Sequence, residues 1–353
     1  MRVVDSRGQF VGYAYVNPHA LICARLLSRS PVHFPDRSLI EHRLRVALQL
    51  RERHYAAPCY RWVYGESDGL PGLVLDRYRD VVVGQIATAG MEALRAEVEA
   101  AVAAVLAPQA LVWKNDGAAR DLEQLPKQLL CAIGRMPEAL EVVEGVLQFR
   151  VPLAQAQKTG WFYDQCANRE TFRRLLWPGV RVLDVCSYAG GWAVTAMRCG
   201  AREALCVDAS EGTLAVAQAN AALNDVQVGT RRGDAFEVLD ALHLAGERFD
   251  VVVLDPPAFI KRRKDEPRGM AAYRKLNQLA LRLLERDAML VSCSCSFHLA
   301  AEDLVSLVQA AARQTGRNLQ ILSAGGQSPD HPVHPAIPET RYLKSLFCRV
   351  TRA

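Results

Sequence analysis

The chain has no Cys-x-x-Cys pair, no apolar secretory leader, no apolar run of membrane-spanning length, no low-complexity tract and no convincing internal repeat. Without such a pair and behind the start Met1-Arg-Val-Val-Asp-Ser6, its ten cysteines read as reduced thiols, and a cytoplasmic location is expected. The missing apolar run leaves no candidate for a membrane-spanning helix. Charge is not extreme either: 43 basic against 38 acidic side chains give +5, mildly basic and compatible with a nucleic-acid partner. What is present is bulk. At 353 residues and 50% hydrophobic, the chain can build two or three domains with proper cores.

The front, Val3 to Tyr13, alternates apolar and polar residues around Asp5-Ser-Arg-Gly8, which predicts a hairpin in a small β unit. It opens almost directly on a strand, so an incomplete domain is expected. Asp36 caps a predicted helix over Leu39–His54. Strands near Leu73–Leu75 and Val81–Ile86, an Ala-rich helix over Glu92–Leu106 and strands near Ala110–Lys114 and Leu147–Val151 make a second α/β unit. The pattern changes near Pro152. From Gly179 strands and helices alternate, which argues for a doubly wound parallel sheet. Its strands are Val180–Val185, Ala204–Asp208, Val226–Arg231, Val251–Asp255 and Ala288–Ser292. A helix near Glu302–Gln314 and two closing strands, Leu319–Leu322 and Tyr342–Val350, end the chain in a hairpin with one antiparallel member.

The segment Val251-Val-Val-Leu-Asp255-Pro-Pro-Ala-Phe259 reads as a buried strand that stops on a carboxylate. Proline cannot donate to a sheet ladder, so pairing ends there and Asp255 is held at the carboxyl edge, where open α/β sheets bind ligands. The turn after the first strand, Asp184-Val-Cys-Ser187-Tyr188-Ala-Gly190-Gly191, lacks the Gly-x-Gly-x-x-Gly that a pyrophosphate needs. A carboxylate there suits a cationic ligand instead. Asp208 ends the second strand where ribose hydroxyls are commonly held, and Asp234 follows the third, where an adenine amino group is met. Each acid alone also reads as a cap or turn former. Together they point to S-adenosylmethionine, with its sulfonium and α-amino group.

A thiol stands beside this carboxylate edge. Leu290-Val-Ser-Cys293-Ser-Cys295-Ser places Cys295 just past the strand next to Asp255, with Cys293 the second choice. Cys186, Cys199 and Cys206 read as inert core thiols. A Cys-x-Cys without matched partners is no usual zinc set, so no metal is expected. A thiolate adding to carbon 6 of a pyrimidine makes carbon 5 nucleophilic toward a sulfonium methyl, and Asp255 can hold or protonate ring nitrogen 3.

These residues resemble a known family. Lys158-Thr-Gly-Trp-Phe-Tyr-Asp164-Gln165, Ser187-Tyr-Ala-Gly-Gly191, Asp255-Pro-Pro, Tyr273 with Asn277, Ser294-Cys295-Ser296, Asp330-His-Pro and Tyr342-Leu-Lys344 are similar to the PUA-containing bacterial 23S rRNA cytosine-C5 methyltransferases. The resemblance spans nearly the whole chain, including Glu66-Ser-Asp-Gly-Leu-Pro-Gly-Leu-Val-Leu-Asp76-Arg77. It implies an α/β protein: a partial, β-rich PUA domain over 1–33, a central α/β domain over 34–150 and a Rossmann-like class I methyltransferase domain with a seven-stranded sheet over 151–353. It also implies S-adenosylmethionine, a large-subunit rRNA substrate, a homodimer and Cys295 as nucleophile. Asp184, Ser187, Tyr188, Gly190, Gly191, Asp208, Asp234, Asp255 and Gln165 would line the cofactor pocket. The chain departs from the family in its shorter front, in Cys166 where Arg is common, and in Glu285-Arg-Asp where a glycine turn is usual.

Lys261-Arg262-Arg263-Lys264, with Arg268 and Arg274 beyond, follow Phe259. A charge run is usually a solvated face, but beside a reaction centre it suits RNA phosphates. The target base must be unpaired or flipped, and Trp161, Phe162 and Phe259 are stacking candidates. His298 and His331 are candidate proton carriers, although a lone His is usually structural. Two rivals stand beside this reading: a guanine-nitrogen methyltransferase that does not need Cys295, and an RNA-binding protein with a vestigial cofactor site.

Overall fold

The computed structural model describes every residue from Met1 to Ala353. They pack as two compact units. One comprises Met1–Val146, Val151–Tyr163 and Pro329–Thr340; the other comprises Leu147–Arg150, Asp164–Ser328 and Arg341–Ala353. The chain thus crosses between units more often than a single cut at residue 150 implies. The physical reason for the late return is Asp330. Its carboxylate accepts from the Arg61 backbone N–H at 2.9 Å, and its carbonyl accepts from the buried Arg51 guanidinium at 2.7 Å. No helix is long and apolar enough to cross a membrane.

In the first unit, Arg2–Val4, Phe10–Val16 and Ala24–Ser28 form an antiparallel three-stranded sheet. Asp5 Oδ1 accepts from the Arg7 and Gln9 N–H groups and closes the expected turn. The next helix, Arg37–His54, begins where Asp36 accepts from the Leu39 N–H at 3.1 Å. A five-stranded sheet follows, in the order Cys59–Tyr64, Leu73–Tyr78, Val81–Ile86, Ala110–Asn115, Gln128–Gly134. Its core holds Trp62 and Trp113, both fully buried. Two of these strands carry no clear sequence signal. Cys59–Tyr64 is largely buried on both faces and so does not alternate, while Gln128–Gly134 is an edge strand whose Leu129 and Leu130 face water. Trp161, a stacking candidate from the sequence, is instead buried here with its indole N–H on Glu144 at 2.6 Å. His331 is buried with Nδ1 2.8 Å from Asp330 Oδ1 and serves the structure rather than carrying protons at an exposed site.

The second unit is built on seven strands: β1 Arg181–Val185, β2 Glu203–Asp208, β3 Gly229–Arg232, β4 Phe249–Leu254, β5 Leu284–Ser294, β6 Arg317–Gly325 and β7 Lys344–Arg352. Their spatial order is β3-β2-β1-β4-β5-β7-β6. The first five run parallel, and β7 is antiparallel to both neighbours. Six helices cover the sheet: α1 Cys166–Leu175, α2 Gly191–Arg198, α3 Glu211–Leu223, α4 Ala235–Leu244, α5 Glu266–Leu283 and α6 Ala301–Gln314. The core is apolar throughout, with Leu183, Val252 and Leu290 fully buried on adjacent strands. The strand order reverses between β1 and β4, and that reversal opens a crevice at the carboxyl ends of the strands.

Candidate active site

Asp184, the penultimate residue of β1, is fully buried. Its Oδ2 accepts from the Ala193 N–H at 3.1 Å, and its Oδ1 has no partner. Burial pushes this carboxyl up to about 8; the Ala193 bond opposes the rise, and Asp255 and Asp208 add to it. Asp255 follows β4, where its N–H donates to the Val185 carbonyl at 3.2 Å and keeps the two strand ends in register. Its carboxylate is clamped from two sides: Gln165 Nε2 donates to Oδ1 at 2.8 Å and Trp192 Nε1 to Oδ2 at 3.0 Å. Removal from water raises this acid to about 6, the Trp192 bond working against the rise. Asn168 donates to Gln165 Oε1 at 2.6 Å and to the Gly326 carbonyl at 2.9 Å. That contact fixes the amide so that its NH₂ end meets Asp255.

The loop after β1 is strained where the site needs it. Cys186 and Tyr188 adopt φ of 62° and 48°, uncommon for residues with a side chain, and Gly190 stands at 80°. A Cβ on Gly190 would also lie 2.9 Å from Ala217 of α3, so glycine is required for packing as well as conformation. The winding turns the Tyr188 N–H onto Asp208 Oδ2 at 3.0 Å, while Asp208 Oδ1 accepts from Ser210 N–H at 3.0 Å. Asp234 is exposed, and its Oδ1 accepts from the Phe236 and Glu237 N–H groups to cap α4. Ser187 and Gly191 are buried in the same loop and helix start.

Cys295 lies one residue past β5 and is half-buried, its thiol donating to the Pro256 carbonyl at 3.8 Å. The thiol thus rests on the residue that follows Asp255. Cys293 faces another environment: it is fully buried, donates to Ser345 Oγ at 3.3 Å, and burial holds its thiol well above the ordinary range. A closed hydroxyl network flanks Cys295 on both sides. Ser294 Oγ donates to Tyr273 Oη at 2.9 Å, Tyr273 Oη and Ser296 Oγ are 2.9 Å apart, and the Ile260 N–H donates to Ser296 Oγ at 3.1 Å. Through Ile260 the network ties the thiol turn to the loop after Asp255. Phe259 packs there against Tyr273, ring centres 4.7 Å apart. Lys261, Arg262, Arg263 and Lys264 continue from that loop, all exposed and in no ion pair.

Residues 128–345 match the family model of S-adenosylmethionine-dependent methyltransferases, and residues 1–29 match a PUA-like domain. The chain belongs to the S-adenosylmethionine-dependent methyltransferases. It is 32% identical to "Ribosomal RNA large subunit methyltransferase I" of Shigella boydii serotype 18, over 99% of this chain and 89% of that one. The protein of the same name from Salmonella gallinarum is 33% identical, over 99% and 88%. Among solved structures, SMU.776, a putative methyltransferase complexed with SAH, superposes with a TM-score of 0.85 at 19% identity, covering 99% of this chain and 90% of that one; this shows the fold.

Asp184 is the group in this site whose chemistry fits the amine of S-adenosylmethionine. A buried carboxylate oxygen with no donor is an unfavourable arrangement on its own, and an ammonium group supplies the missing donor and charge. Asp208, whose oxygens accept from the Tyr188 and Ser210 N–H groups, is the residue that would hold ribose hydroxyls. When bound, the cofactor would supply a sulfonium methyl for transfer. Because the Asp184 carboxyl is raised, it weighs against the folded state increasingly as pH climbs from about 4 toward 8, and a bound cation offsets this. Binding an ammonium to ionised Asp184 therefore releases a proton below pH 8. S-adenosylmethionine affinity is expected to tighten by up to about tenfold per pH unit between 6 and 8, and to lose that slope in Asp184→Asn. Calorimetry in two buffers checks it; equal slopes in both proteins would detach the amine from Asp184.

Three residues of the site had little or no voice in the sequence. Trp192 followed a glycine pair, where an apolar residue starting a helix is unremarkable; only a buried indole's need for an acceptor hinted at a role. Asn168 carried no signal. Lys344 stood in the Tyr342-Leu-Lys motif without an assigned task.

Proposed function

We propose that this methyltransferase places a methyl group on carbon 5 of a cytosine in large-subunit (23S) rRNA, through a covalent adduct with Cys295. The observation that carries the reading is a thiol held against the Pro256 carbonyl, beside a carboxyl raised to about 6. The substrate class follows the names of the curated relatives and the PUA-like front. Residues 1–33 would hold RNA and the second unit would carry the chemistry, with a second copy of the chain completing a homodimer.

Each side chain has a task in this reaction. The Cys295 thiolate forms a bond to carbon 6, and Asp255 protonates or holds nitrogen 3 so that the electron pair collects at carbon 5. Carbon 5 would take the methyl as the methyl–sulfonium bond breaks and its electron pair stays on the departing thioether. A base then removes the carbon-5 proton, and the electron pair of that bond re-forms the 5,6 double bond and expels the Cys295 thiolate. Nitrogen 3 returns its proton to Asp255. Gln165 and Trp192 fix the Asp255 carboxyl, and the Lys261–Lys264 loop meets phosphates. Transfer of labelled methyl to under-modified large-subunit rRNA, with nucleoside analysis, is expected to give 5-methylcytidine. Methylguanosine would sink the cytosine reading and leave fold and cofactor standing. No transfer would favour an RNA-binding protein with a vestigial site.

A further inference from the structure

Lys344 opens β7, directly opposite Ser294 of β5 in the antiparallel register. It is 9% exposed and pairs with no carboxylate, an uncommon state for a lysine. Its Nζ donates to two backbone carbonyls, those of Ser296 and Tyr342. The first belongs to the residue just after Cys295. A neutral amine has two N–H groups and one lone pair; here both N–H groups are used and the lone pair is left over. An ammonium has a third N–H, and no carboxylate is there to receive it. Burial lowers this lysine to about 8, so the neutral amine is accessible near physiological pH, and Cys295 is the neighbour that favours its charged form.

We propose that Lys344 ionises Cys295: the amine takes the thiol proton, and the resulting ammonium holds the thiolate ready for addition. The transfer balances, since the S–H bond breaks, its electron pair stays on sulfur, and the proton forms the third N–H of Lys344. The proposal rests on the covalent reading above, and Lys344 acts in it through Cys295 rather than on the substrate. The other titratable groups around the pair are Tyr273 on α5, Cys293 on β5, Arg341 before β7 and Asp255 after β4. Tyr273 and Cys293 are held neutral by burial. Arg341 pushes Lys344 toward the neutral amine. Asp255 opposes the thiolate only when ionised.

The test is the pH dependence of iodoacetamide alkylation at Cys295, read on its own peptide by mass spectrometry. In the wild type the midpoint is expected at least one unit below the ordinary thiol value of about 8.5. Lys344→Met, which keeps the buried stem, should raise the midpoint by at least about one unit and slow alkylation at pH 7 roughly tenfold. Lys344→Arg, which restores a positive charge, should bring it back down. An ordinary midpoint in the wild type overturns the proposal even if neither variant folds, and so does an unchanged midpoint in Lys344→Met. Methyl transfer surviving in Cys295→Ala would instead refute the covalent reading, and the alkylation profile would still judge Lys344.

Discussion

Cys295→Ala is expected to reduce methyl transfer by at least roughly 10³-fold while leaving S-adenosylmethionine affinity within about twofold. Carbon 5 of cytosine is too weak a nucleophile to attack a sulfonium unaided, so loss of the sulfur removes the step that activates it. The thiols packed in and beside the sheet are poor substitutes. Cys293 is buried and bonded to Ser345, burial raises Cys186 and Cys206 far from ionisation, and Cys348 is pushed up to about 12. The substitution removes one half-buried sulfur and should cost little stability, because the Ser294–Tyr273–Ser296 network that shapes the turn is untouched. Cys295→Ser should be equally inactive, since an alkoxide is inaccessible where a thiolate is not. Labelled-methyl assays on under-modified rRNA decide the matter, and wild-type rates in either variant would show that the thiol takes no part.

The second large effect falls on Asp255→Asn, for which a loss of roughly 10²–10⁴-fold is expected. An amide can still donate to nitrogen 3, but it has no proton to give as the electron pair moves. The pH profile separates this from mere disruption. With the carboxyl raised to about 6, the wild-type kcat/KM should fall on the acid side with a midpoint near pH 6. The limb is the same whether the active form has Asp255 protonated and Cys295 ionised or the converse, because both carry the same number of protons. In Asp255→Asn the limb should vanish and the residual rate should follow the thiol alone. A limb that persists at pH 6 would assign it to another group.

The sequence alone determined the elements that depend on neighbours along the chain. Alternation and apolar runs marked five of the seven strands of the sheet, and the hairpin with an antiparallel member followed from two closing strands that no crossover separates. The acids at strand ends were legible for the same reason: a carboxylate or a proline ends an apolar run visibly, so Asp184, Asp208 and Asp255 could be placed at one edge before any coordinates. Asp234 was legible as an acid after β3, and its backbone bonds show the capping task that the sequence had offered as the alternative.

Tertiary structure decided what is made by distant residues. That Gln165 and Trp192 hold Asp255, 90 and 63 positions away, depends on β1 and β4 being neighbours and on α2 starting where it does. That Asp184 keeps one oxygen without a donor is a property of burial, which no local pattern reports. The difference between Cys293 and Cys295, two residues apart in one motif, is a difference of environment: one thiol lies inside the sheet, the other just beyond its edge. Lys344 reached the thiol turn only because β7 runs back along β5, 48 residues from the Ser296 carbonyl it binds. Local periodicity fixes which residues form strands and where they stop. Charge, proton affinity and contact depend on what the fold removes from water and brings within hydrogen-bond reach.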